Sequence, residues 1–539
     1  MYYTYKGGKL MGSIVKQKVG KHIYLYESVS YRDQNGQPRN SRTIIGKIEP
    51  STGEPIYKTE YIERMAQNGT PLQVGNPVPT FTLEQIRQSS LKEYGAFYLF
   101  QSIAEKSGLL PILRNVFTEN WEKIFALICY LVSSGEPVMY FDDWLNKTEN
   151  VFVGSMSSQR ISELLASIST DERLEFFKQW GAYRCEQEYL ALDITSVSSY
   201  SELIRDVEWG YNRDGEKLPQ VNLCLLLGEK SCLPVFQTIY SGSLKDVNTL
   251  KTTLAQASSI STDKLLLVMD KGFCSTGNIN AMLADQEKIR FVIAAPFTMS
   301  FAKKQVQSEK KDIDSLQNTI VIGEDVLRGV SKERAWTNDK TLFVHTFFNV
   351  IKAAKLRENL YAHVTLMKQK AEQNPNNSQY QADFDRYLFI RKSEKNDHGY
   401  TINIRQEVID KELEHVGWLV LLSNDVSDPK EAITIYRTKD VVEKGFLRFK
   451  NSLEMGRLRI HSENSMQNKV FVGFIGLIIM AGIHKVMLDQ GLYRNMTMKK
   501  LIKTLEKLRI QSINSSKILF PVTKEQREIF KAFGLPEPM

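Results

Sequence analysis

The sequence predicts a multidomain α/β protein built around a mixed sheet. Its 539 residues are too many for one hydrophobic core. Between residues 189 and 296 three apolar strand-like segments are followed by helix, strand, helix and strand. The flanks read differently, as a basic hairpin before this region and as helical periodicity on either side of it. Hydrophobic residues make up 42% and charged residues 24%, which argues against disorder, and a net charge of +8 permits a polyanionic partner without proving one.

Residues 1–68 form a basic, β-rich N-terminal region. Its first 48 residues hold Lys6, Lys9, Lys16, Lys18, Lys21, Arg32, Arg39, Arg42 and Lys47 against only Glu27 and Asp33. Apolar and polar residues alternate on both sides of Asp33-Gln34-Asn35-Gly36, which predicts a hairpin or small sheet with a basic face. Asn68-Gly69 and Pro71, Pro77 and Pro79 mark a linker ending near Thr82. Residues 82–185 are helical. Within them 157–180 reads as two helices with Ser169-Thr170-Asp171 capping the second, and nothing marks that second helix as a groove reader over an ordinary packing unit.

From 186 to 298 the strands YLALDITSVSSY, QVNLCLLLG and LPVFQTIYSG form a meander, with Gly215 and Gly228 at turns. The run KLLLVMDKGF reads as a central parallel strand buried on both faces. In a sheet ordered 3-2-1-4-5 the first and fourth strands are neighbours. Residues 299–414 mix short strand-like pieces with a polar Lys- and Gln-rich segment, which predicts an inserted module and not a continuation of the sheet. Residues 415–485 resume with the strand GWLVLLSND and end in VFVGFIGLIIMAGI, 14 residues that fall short of the roughly 20 needed to cross a bilayer. This segment is expected to be a buried helix, with no membrane partner. Residues 486–539 are expected to be a helical tail. Five cysteines without a C-x-x-C pair, and a start lacking an apolar signal region, suggest reduced thiols in a cytoplasmic protein.

The candidate chemistry lies in IYRTKDVVEKGFLRFKNSLEMGRLR, residues 435–459, where seven Lys or Arg residues surround Glu443. On a helix Tyr436, Lys439, Glu443 and Lys450 fall within an arc of roughly 60°. Ile435, Val442, Phe446, Phe449 and Leu453 form an apolar stripe beside them. Arg437, Lys444 and Arg448 project from the other side. Taken alone, the helix could be a charged solvent face. Two further acids change the weighing: Asp193 in the middle of the first strand and Asp270 at the end of a buried run, since carboxylates in apolar strands are costly without a partner. Three carboxylates without His or Cys are hard oxygen ligands that suit two Mg²⁺ or Mn²⁺ ions.

The pattern Tyr436-x-x-Lys439-x-x-x-Glu443-x6-Lys450 resembles the Tyr-x2-Arg-x3-Glu-x6-Lys signature of the IS4-type DDE transposases, with Lys439 in place of Arg. MDKGFCSTGNI and LDITSVSSYS are similar to the segments around that family's second and first Asp. The N-terminal hairpin and the chain length look most like the IS1634 branch. The resemblance covers about residues 186–485. It implies a ribonuclease-H-like mixed-sheet core interrupted by a strand-rich insertion, with N-terminal β-hairpin and helical regions that bind DNA ends and a helical C-terminus. It implies Asp193, Asp270 and Glu443 as metal-binding catalytic residues, and Tyr436, Lys439 and Lys450 as contacts to DNA, with Arg437, Lys444 and Arg448 adding positive charge. Lys439 would capture a phosphate as a point donor, without the planar fork of Arg. Trp336, the only Trp in 299–414, is the corresponding candidate for stacking a base. The implied activity is cut-and-paste transposition by a homodimer on double-stranded DNA, at inverted-repeat ends and a target, in the bacterial cytoplasm and on the nucleoid when bound. An inactive DNA-binding descendant and a nuclease without strand transfer remain open at this point.

Overall fold

The computed structural model describes residues 13–538 apart from 21, 34–35, 51–52, 68–82, 183, 185–187, 260–263, 338, 393–398, 461 and 514–515. The linker expected at 68–81 lies outside the described residues. The chain forms two compact units, Met1–Gln88 and Ser89–Met539.

In the first unit, four antiparallel strands run in sequence order: β1 (Ser13–Val19), β2 (His22–Arg32), β3 (Pro38–Ile48) and β4 (Pro55–Tyr57). The strands β2 and β3 are the arms of the expected hairpin. The helix Thr59–Gln67 contributes Tyr61 to a core shared with Leu25 and Ile45. Along the first half of β3 every residue is exposed, so Arg39 and Arg42 face solvent.

The second unit begins with β5 (Ser90–Glu93) and contains a ten-stranded mixed sheet. Its strands β6 (Leu190–Ser199), β7 (Gln220–Gly228) and β8 (Pro234–Ser241) form the antiparallel meander. Parallel to β6 runs β9 (Leu265–Met269), and parallel to β9 runs β10 (Ile289–Ala294). The order β8-β7-β6-β9-β10 is the 3-2-1-4-5 order expected. Every residue of β7 is buried, the polar Gln220 and Asn222 included; their side-chain amides donate to carbonyls of the neighbouring connections.

The expectation that residues 299–414 leave the sheet is corrected. The strands β11 (Thr319–Ile322), β12 (Asp325–Thr337) and β13 (Lys340–Phe348) extend it beyond β10. Only the remainder is a satellite: the helix Val350–Gln373, the hairpin β14 (Leu388–Lys392) and β15 (Tyr400–Ile404), and the helix Gln406–Leu413. They share a separate small core around Met367, Phe384 and Ile409. Continuity is restored by β16 (Trp418–Ser423), which pairs antiparallel with β10 on one side and β13 on the other. A strand between two partners has no free edge, and that is why β11–β13 join the sheet although their own sequence is unremarkable. The short β17 (Arg457–Leu458) pairs with the far end of β6. The tail differs from a purely helical one as well: β18 (Arg509–Ile513) lies between β19 (Ser516–Leu519) and β5, beside the helices Met498–Glu506 and Lys524–Ala532.

Between residues 95 and 181 the chain is helical, and its second half contains the expected pair Ser158–Ser167 and Thr170–Gly181. Ser169 caps the latter in a capping box with Glu172. These helices pack around Glu463–Asp489, the helix of the apolar run. That helix is long and apolar enough to cross a bilayer by composition, but 78% of its apolar window is buried inside the fold. Phe471 and Phe474 meet Phe176 and Phe177 edge to face. The fully buried Asn468 fastens the two parts together, donating to the carbonyls of Leu165 (2.6 Å) and Ile168 (2.8 Å) and accepting from Arg173. Asn468→Leu would leave two buried carbonyls without donors. It is expected to lower the unfolding free energy by about 2–3 kcal/mol, measured as an earlier midpoint in urea.

Candidate active site

The geometry of the site starts from the register of two parallel strands. Leu192 of β6 lies opposite Met269 of β9, so the next residues, Asp193 and Asp270, stand side by side where β9 ends. On that edge β6 has no strand partner again until Ser198 meets Arg457 of β17. The two acids therefore sit in a fork of the sheet, at the point where connections leave β6 and β9 in opposite directions. Open α/β sheets place ligands at such switch points.

Each acid is held by groups around it. Asp193 Oδ1 accepts the amide of Ile194 (2.8 Å). Burial raises its pKa to about 6, and neighbouring Asp270 adds to the rise, against the Ile194 hydrogen bond and the positive charges of Lys439 and Arg213. Asp270 Oδ1 accepts from the amide of Lys271 (2.8 Å) and from the Tyr436 hydroxyl (2.9 Å). Burial, then the charge of Asp270, pushes the Tyr436 phenol far up, so it stays a donor.

Tyr436 and Glu443 arrive on two helices, Pro429–Thr438 and Asp440–Leu447, where the sequence suggested one. Lys439 is the joint between them; its backbone (φ −53°, ψ −22°) is still helical, so the phase is kept. Ile435, Val442, Phe446, Phe449 and Leu453 are all buried. Gly445 lets the second helix close on β7: a Cβ there would come within 2.7 Å of the Leu227 side chain. The Lys439 ammonium reaches into the middle of the site, 3.1 Å from Glu443 Oε1 and 3.9 Å from Asp270 Oδ2. Burial alone would lower its pKa, but the surrounding carboxylates outweigh burial and raise it.

The other candidates are distributed more widely. The helix passes into a π-turn over Arg448–Ser452, and Lys450 ends 2.6 Å from Asp214 in the β6–β7 connection. Arg437 pairs with Asp325 at the start of β12 (3.0 Å), and Lys444 with Asp440 (2.6 Å). Arg448 is turned away. Burial lowers its pKa, and its electrostatic neighbours are Tyr493 and Cys232. Trp336 is half-buried, with its Nε1–H donated to Asn280 (2.7 Å) and its ring edge-on to Phe301. Sequence reasoning passed over the β6–β7 connection, although Arg213, Asp214 and Glu216 in NRDGEK all enter the network: Arg213 pairs with Asp246, and Glu216 with Arg457 (2.7 Å). The four charged residues packed into that hexapeptide were the available signal.

A family model described as a transposase DDE domain matches residues 184–479, just over half the chain. The chain belongs to that family. The match takes in all three acids and the helix pair that carries Glu443, and its members generally use divalent metal ions. No curated protein sequence matches this transposase-family chain. Among solved structures, the cryo-EM structure of the piggyBac transposase synaptic complex with hairpin DNA is 11% identical, covering 84% of this chain and 88% of that one, with a TM-score of 0.38. That likeness is too low to establish a shared fold.

Among the described residues no three His, Cys, Asp or Glu side chains converge closely enough to hold an ion. The ammonium of Lys439 stands between Glu443 and Asp270 instead. Asp193 and Asp270 fit a hard cation as they stand, being oxygen donors side by side on neighbouring strands, and among the described residues the 54% exposed Glu443 is tied to the site through Lys439.

The raised Asp193 pKa has a stability consequence. A carboxyl whose folded pKa lies above its unfolded value contributes stability that is fully present below about pH 4 and lost as pH rises through about 6. Asp193→Asn is therefore expected to stabilise the protein in EDTA by on the order of 1–3 kcal/mol at pH 7.5. Denaturant titrations of both proteins should show the difference vanishing toward pH 4.

Proposed function

We propose that the chain is a cut-and-paste DNA transposase of the IS4 type, most like the IS1634 branch, with a ribonuclease-H-like core. The observation that carries this reading is the in-register pair Asp193 and Asp270, joined through Lys439 and Tyr436 to Glu443. In it water attacks a phosphodiester at each inverted-repeat end. A P–O bond forms to water, the bond to the 3′ oxygen breaks, and a 3′-OH is freed. That hydroxyl then attacks a phosphodiester of the other strand or of the target, exchanging one P–O bond for another.

Asp193, Asp270 and Glu443 would hold Mg²⁺ or Mn²⁺, two ions in the full complex. When bound, the metal supplies Lewis-acid activation of the attacking and departing oxygens. The chain's own groups do the rest. Tyr436 orients Asp270 through its hydrogen bond. Lys439 neutralises the acids until substrate arrives, and then, with Lys450, offers its ammonium to the phosphates beside the scissile bond. Arg437 and Lys444 add positive charge around them. A homodimer would bring the two ends together. Cys129, Cys224, Cys232 and Cys274 are buried free thiols, in line with a reducing cytoplasm.

Two experiments test this reading. Protein, end-bearing duplex and Mg²⁺ should give cleaved and joined products. Glu443→Gln should lower their rate by roughly a thousandfold or more, about 4 kcal/mol in the barrier. Unimpaired cutting by that variant would remove Glu443 from the site, and cutting without joining would leave a nuclease. Separately, Lys439→Gln withdraws the cation that competes for the carboxylates. In DNA-free protein it should tighten Mn²⁺ binding several-fold, read by electron paramagnetic resonance of the free ion.

A further inference from the structure

The connection between β6 and β7, residues 200–219, carries an unusual surface. Tyr200 is 66% exposed, Leu203 77%, Trp209 67% and Tyr211 83%. Four large apolar side chains exposed on one short connection are a candidate place for something to dock. The backbone beneath them is firmly held. The carboxylate of Glu208 is gripped by the hydroxyls of Ser241 and Ser243, and its main chain bridges Gln220 in both directions (2.9 and 3.0 Å). Gly210 is pressed against Gly242 so closely that a Cβ would lie 1.9 Å from the Gly242 carbonyl. The carbonyl of Tyr211 accepts from Gln220 Nε2 (2.9 Å) and from the Ser196 hydroxyl (3.3 Å). Trp209 and Tyr211, on either side of Gly210, are thus exposed aromatics on a pinned loop.

Their position says what kind of partner fits. Ser196, which holds Tyr211, is three residues from Asp193, about 10 Å along the strand. A cation stands over one of the rings, and a second pairs with the same connection. Arg457 lies over Tyr200, 5.2 Å from its centroid, and pairs with Glu216, while Lys450 pairs with Asp214. Asp214 and Glu216 thus tie both cations to the connection that carries the aromatic side chains. Exposed aromatic faces with cations held to the same connection suit an unpaired nucleic-acid strand, whose bases stack while its phosphates replace the carboxylates.

We propose that Tyr200, Trp209 and Tyr211 form a stacking platform for unpaired bases of the DNA strand that passes through the site, with Arg457 and Lys450 on its phosphates. The proposal rests on the transposase reading and assigns the β6–β7 connection a role in it.

Full-length protein in EDTA is titrated with an oligothymidine of about a dozen nucleotides, long enough to cover such a groove. Intrinsic tryptophan fluorescence should be quenched. Trp209→Phe should lose most of the quench yet keep the affinity, because a phenyl ring still stacks. Trp209→Ala and Tyr211→Ala should each bind about tenfold more weakly; both side chains are exposed, and near-ultraviolet circular dichroism confirms that the variants are folded. Unchanged single-strand affinity in both alanine variants overturns the proposal. So does a chain-concentration-dependent dimer that Trp209→Ala abolishes while single-strand binding stays intact, since the patch would then serve a second copy. Failure of the transposase reading is seen elsewhere, as wild-type protein that leaves end-bearing duplex uncut in Mg²⁺. Failure of the platform leaves that cleavage in place.

Discussion

One ammonium group holds the centre of this molecule together. Asp193 and Asp270 are forced side by side by the register of β6 and β9, and the charge of Asp270 adds to the cost of ionising the buried Asp193. Lys439 offsets that cost, standing 3.1 Å from Glu443 and 3.9 Å from Asp270 and lowering the pKa of Asp193 through its charge. The same residue joins the helices that bring Tyr436 and Glu443. The placement of the helix pair on the sheet and the partial offset of the acids' charge are therefore one constraint. The buried stripe from Ile435 to Leu453 supplies the apolar free energy that keeps a charged joint in place.

The fork in the sheet depends on parts far away in sequence. Between Asp193 and Val197 the edge of β6 facing β9 is left open because β9 stops at Met269 and β17 starts only at Ser198. The strand β17 owes its position to the π-turn and to the long buried helix that follows it. That helix in turn is locked to residues 158–181 by Asn468 and by the Phe176, Phe177 and Phe471 rings. A helical region that looked separable in sequence is thus part of the scaffold that spaces the site.

How much of this was legible follows from whether the relevant partners lie within one element. The order β8-β7-β6-β9-β10 could be read because each strand announces itself by an apolar run and each crossover by a helix. The clustering of Tyr436, Lys439 and Glu443 could be read from a 3.6-residue period, and the break at Lys439 did no harm because one helical residue preserves the phase. Beyond Leu447 the helix passes into a π-turn, where Phe449 and Leu453 are still buried as the stripe requires, and Arg448 is half-buried with Tyr493 and Cys232 as its electrostatic neighbours. The continuation of the sheet through β11–β13 was hidden because its cause, the edge of β16, lies some 70 residues beyond β13 in the chain. Trp336 was chosen for being alone in its segment. Whether an indole is free is decided by Asn280 and Phe301, which no local pattern reveals.

A lysine at position 439 also shapes how readily the site opens. A guanidinium could fork across Asp270 and Glu443 with two parallel hydrogen bonds, locking both carboxylates. The ammonium makes one short contact and one at 3.9 Å, on a stem with four rotatable carbons. Glu443, with 54% of its side chain exposed, is thereby the acid held least firmly, whereas Asp193 is fixed in a strand and Asp270 by two hydrogen bonds. Two firmly held carboxylates and one loosely tethered one therefore face the same ammonium. The electrostatic cost of the arrangement is felt at Asp193, whose pKa burial raises to about 6.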